Sequence, residues 1–112
     1  NIKDKQTKSI LKILLDNNKI NEATQLMYNL RNIKSKDFYS YEMGTYYAFN
    51  FSVENSIKEF LLHLEYNPKK YYIIRNRILA FPDIEQLNNK IQLYKFLNII
   101  DYRITVYSII FS

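Results

Sequence analysis

Three positions of this chain recur in kind at a fixed spacing, and that recurrence limits the fold more than any other feature. Ile20, Ala23 and Met27 fall on Val53, Ser56 and Phe60, each pair 33 residues apart. A branched aliphatic, a small and a large apolar residue repeat in that order. Steps of three and four put them on one helical face. A small residue at the middle site lets two antiparallel helices approach closely where they cross. The period is that of one helix-turn-helix unit stacked on the next, and self-similarity of this length is the signature of a repeat architecture.

Composition points the same way. The 112 residues include one Gly and two Pro, too few for the many turns of a sandwich or barrel. Hydrophobic residues make up 47% and charged residues 24%, which is ordinary for a folded chain and too apolar for disorder. The expected class is all-α. Absence of cysteine excludes disulfides, thiolate metal sites and a cysteine nucleophile. The polar start, residues 1–9, has no apolar core of a signal peptide. Residues 93–112 are the most apolar stretch, but Lys95, Asp101 and Arg103 argue against a membrane span. A first residue other than Met and the apolar end at Ile109, Ile110 and Phe111 suggest a piece of a longer chain. Such an end would pair with further repeats or with itself. The compartment is left open.

Apolar spacing predicts the helices in turn. The first spans Asp4 to Asp16, with Ile10, Leu11 and Leu14 inward, and ends at Asn17, Asn18 and Lys19. The second carries Ile20, Ala23, Met27 and Leu30, followed by a polar connection at residues 32–36. The third runs from Asp37, as cap, to Phe49, and breaks at residues 50–52. The fourth, capped by Ser52, carries Val53, Ile57, Phe60, Leu61 and Leu64. Asn67 and Pro68 open a fifth helix to about Ala80. A sixth is expected from Asp83 to Leu97, and residues 101–111 are read as helix although they would also suit a strand. The result is a single domain over residues 1–112 with units at about 4–36, 37–70 and 71–112.

In the central unit Gly44, Tyr47, Ser56, Phe60 and Pro68 fall at characteristic spacings, and here the chain resembles the tetratricopeptide repeat (TPR) family. Ser40 and His63 depart from the family pattern, the first unit has Leu11 where the glycine belongs, and the third unit keeps almost none of it. The resemblance implies antiparallel helix pairs stacked as a short right-handed solenoid. It also implies a non-enzymatic protein–protein interaction scaffold that holds its partner on a concave helical surface. By that resemblance Phe38, Tyr41, Thr45 and Phe49 line the groove, with Lys5, Lys8 and Lys12 at one end and Arg75 from the third unit. A basic end and an aromatic middle suit a protein or peptide partner of acidic character. Tyrosine and phenylalanine offer large area with few rotatable bonds.

Two plainer readings stand beside it: the rings fill helix junctions, and the lysines form a solvated face. The same surface could instead bind RNA or single-stranded nucleic acid through phosphate contacts and stacking. A net charge of +5 and eleven acidic residues count against that. A structural spacer with no partner is a further alternative. His63, the only histidine, lies near Glu59 and Glu65. No second histidine supports a helix-borne metal site, and there is no Gly-rich phosphate loop or nucleophile elbow. No catalytic, metal or cofactor-binding residue is expected.

Overall fold

The computed structural model describes residues 2–81, and every regular element among them is helical. The order is α1 (Ile2–Asp16), α2 (Ile20–Ile33), α3 (Ser40–Phe49), α4 (Val53–Tyr66), a 3₁₀ turn (Pro68–Lys70) and α5 (Tyr71–Leu79). The helices expected at 83–97 and 101–111, and the apolar end, lie outside the described residues. Among the described residues no helix is long and apolar enough to cross a membrane. The chain divides into two compact units, residues 1–39 and 40–112, beside the unit boundary expected after residue 36.

In the first unit α1 and α2 form a helix pair. Leu11 and Leu15 of α1 and Ala23 and Met27 of α2 are buried. Ile10, expected inward, is half exposed. The buried face is centred on Leu11, and its neighbour one turn on is Leu15. An ion pair joins Lys34 to Asp4, so the first turn of α1 lies beside the end of α2. The hydrogen bond from Lys34 holds the Asp4 carboxyl below its ordinary value.

In the second unit Ile57, Phe60 and Leu64 of α4 join Ile74 and Ile78 of α5 in one apolar cluster, with Tyr41, Val53, Leu61, Tyr71 and Phe81 packed around it. Full burial of each such side chain is worth about 1.5–3 kcal/mol. The α3–α4 pair is antiparallel: Tyr41 near the start of α3 lies against His63 late in α4. At the crossing, a Cβ added to Gly44 would come within 2.6 Å of the Phe60 ring. The Ser56 hydroxyl donates to the Gly44 carbonyl at 2.6 Å. The small residues at 44 and 56 therefore do what their size suggests: they let the helices touch.

The turns that close the two pairs repeat bond for bond. Lys19 N–H donates to the Leu14 carbonyl at 2.8 Å and Ser52 N–H to the Tyr47 carbonyl at 2.9 Å. Asn18 N–H reaches the Leu15 carbonyl, and Phe51 N–H the Ala48 carbonyl, both at 3.1 Å. Asn17 and Asn50 each donate a side-chain N–H to the carbonyl four residues back, at 2.7 and 2.9 Å. Asn18 and Phe51 take φ of 59° and 58°. This is the Schellman pattern, a 6→1 and a 5→2 bond around one left-handed residue, written twice with a spacing of 33 residues.

Three expected helix starts are corrected. α3 begins at Ser40 rather than Asp37, because Tyr39 takes φ of 65° and breaks the helical path. The Ser52 side chain does not cap α4; its hydroxyl accepts from Asn55 Nδ2 at 2.9 Å. The fifth helix is split, with Pro68 opening a 3₁₀ turn before α5 begins at Tyr71.

Candidate partner-binding cleft

Ser40, Met43 and Gly44 fill the buried face of α3. That leaves Tyr41, Thr45, Ala48 and Phe49 along another face at steps of three and four. The Thr45 hydroxyl donates to the Tyr41 carbonyl at 3.0 Å, which holds its methyl in a fixed position. Thr45, Ala48 and Phe49 form one wall of a cleft of about 230 Å³. Phe60, itself 1% exposed, is reached at its base. The end of α5 and the residues after it supply the other wall: Arg77, Ala80 and Phe81. Phe49 is 80% exposed, an unusual position for a phenylalanine on a helix.

Arg77 is the only charged residue lining this cleft. Its guanidinium carbon lies 6.0 Å from the centre of the Tyr41 ring, within range of a cation–π contact. Tyr41 also packs on Phe60 and His63, with ring centres 5.7 and 5.3 Å away. It is thus part of the cluster beneath the cleft as well as a support for the arginine.

The residues expected to share one groove separate into two groups. Thr45 and Phe49 line the cleft, and Tyr41 stands under it. Phe38 does not share their helical face, because it lies in the turn before α3. It is 7% exposed, with the ammonium groups of Lys8 and Lys34 at 5.9 and 5.5 Å from its ring centre. Arg31 Nε donates to its carbonyl at 2.9 Å. Phe38 is a packing residue of the first unit.

Lys5, Lys8 and Lys12 are exposed on α1. Lys12 pairs with Asp16 at 2.7 Å, a surface pair one helical turn apart and worth little. Arg75 is half-buried on α5 and is not among the cleft residues. Arg77 takes the position expected of it. Sequence reasoning passed over Arg77, Ala48 and Phe81. The signal was present: Ile74, Arg77 or Ile78, and Phe81 form one stripe at helical spacing.

His63 is half-buried and ties the ends of α3 and α4 together. Its Nδ1 lies 3.4 Å from the Ser40 hydroxyl and 3.3 Å from Asn67 Nδ2, an arrangement suited to a ring nitrogen that accepts. Among the described residues no group of three His, Cys, Asp or Glu side chains could hold a metal ion.

No family model, no curated protein and no solved structure matches this chain.

Proposed function

We propose that the chain is a TPR-like helical-repeat scaffold that binds another protein, with no chemistry of its own. The observation that carries this reading is the reiterated turn. Two helix pairs end and restart with the same backbone bonds 33 residues apart, and the second is closed by a glycine–aromatic crossing. Units of this kind bury their apolar faces against their neighbours and present extended surfaces to partners. The partner-facing part of the second unit is the α3–α5 cleft, with exposed Phe49 beside it. Interface energy concentrates in such aromatic and arginine positions.

The test is affinity capture from the source organism's lysate, with and without nuclease. Phe49→Ser replaces an exposed ring and leaves the core untouched, which makes it a better probe than Phe38→Ala or Tyr41→Ala. A protein retained after nuclease and lost with Phe49→Ser is the expected result. Loss of all captured species on nuclease treatment would move the assignment to nucleic-acid binding. That second reading draws on one observation: residues 68–81 carry Lys69, Lys70, Arg75 and Arg77 and no acidic residue.

A further inference from the structure

We infer that the α3–α5 cleft is a socket for an acidic peptide segment: one large apolar side chain of the partner enters between Ala48, Phe60 and Phe81, and a neighbouring partner carboxylate pairs with Arg77. This rests on the scaffold reading and names the chemistry of its partner. Size comes first. At about 230 Å³ the cleft is smaller than the roughly 300–1,000 Å³ usual for small-molecule sites. It is of a size for one side chain and not for a cofactor.

Its lining gives the second argument. The walls are alanine and phenylalanine, so what enters must be apolar to gain from leaving water. Polar groups are confined to Thr45, whose hydroxyl is already donated to the helix, and Arg77. Arginine offers a planar fork of N–H donors that matches a carboxylate in a two-point pair. The Tyr41 ring beneath limits the positions the fork can take. A side chain held in advance loses less entropy on binding.

Charge around the cleft gives the third. No acidic residue lines it, and residues 68–81 contain none. A basic or neutral peptide gains nothing from this setting, whereas an acidic one is drawn to it. Nucleic acid fits less well. Lys69 and Lys70 lie in the turn before α5, at the opposite end of that helix from Arg77 and Phe81. The cleft therefore meets one cation and not the row of cations that a phosphate backbone follows.

The experiment uses the full chain and a capped heptapeptide with one phenylalanine between three acidic residues on each side. Controls are the same peptide with alanine at the centre, the same peptide with lysine for each acid, and a labelled oligouridylate. Wild-type chain should bind the first peptide at least tenfold more tightly than any control. Ala48→Trp, which fills the socket, and Arg77→Glu, at an exposed site, should each weaken binding at least tenfold. Circular dichroism establishes that each variant is folded, and Arg77→Glu alone suffices if Ala48→Trp is not. No binding by the wild type, as when another segment of the same chain occupies the cleft, overturns the socket. So does equal binding of the alanine or lysine peptide, or tighter binding of the oligonucleotide. A cellular protein partner held equally by wild type and by both folded variants would overturn the socket and leave the scaffold reading standing.

Discussion

Gly44 and Phe51 show how single residues set this fold, in opposite directions. Alanine is the better helix former than glycine by about 1 kcal/mol, so propensity alone favours Gly44→Ala. The methyl would meet the Phe60 ring at 2.6 Å, and that ring is 1% exposed with little room to move. Overpacking of this kind costs about 1–3 kcal/mol, and sterics should win. Gly44→Ala is expected to destabilise the second unit by about 1–2 kcal/mol in denaturant unfolding. Added to Phe60→Leu, the same change should cost clearly less than it does alone.

Phe51 holds φ of 58° where its counterpart in the first turn is Asn18. A bulky residue in left-handed geometry is strained by about 1–2 kcal/mol, and its ring, 86% exposed, recovers almost nothing by burial. Phe51→Asn should therefore raise stability by about 0.5–1 kcal/mol. An unchanged or lower denaturation midpoint would mean that the ring has packing value.

At the scale of elements, α1 and α2 are fastened partly by the Lys34–Asp4 pair. The folded Asp4 pKa is lowered from 3.8. Its contribution is therefore complete above the unfolded carboxylate value and is lost as pH falls through the folded one. The gap in stability between wild type and Asp4→Asn should close on acidification below about pH 4, and narrow with added salt. A gap that is independent of pH would show that Asp4 acts through packing and not through charge.

Helix positions were legible wherever the apolar spacing was regular. α2 and α4 start where the sequence placed them, because Ile20 and Val53 open a clean face after a turn rich in asparagine. The start of α3 was not legible. Asp37 resembles a cap, and nothing local announces that Tyr39 adopts left-handed geometry. That error moved Phe38 onto a helical face it does not share. The candidate site was half legible for a related reason. Thr45 and Phe49 follow from helical spacing within α3, whereas Arg77 depends on how α5 packs against α4, which is a tertiary fact.

For the whole molecule the organising feature is the 33-residue period, present in composition at Ile20/Val53, Ala23/Ser56 and Met27/Phe60 and again in the bonds of two turns. A scaffold reading predicts that function lies on surface and not in chemistry: changes at exposed Phe49 and Arg77 should alter binding while leaving stability within about 0.5 kcal/mol. Photocrosslinking from position 49 tests this most directly. A photoreactive phenylalanine analogue replaces Phe49 in the full chain, with the same analogue at exposed Lys58 of α4 as the control. The account predicts a discrete protein adduct from position 49 and none of that adduct from position 58. Nuclease-sensitive adducts, or the same protein crosslinked from both positions, would contradict it.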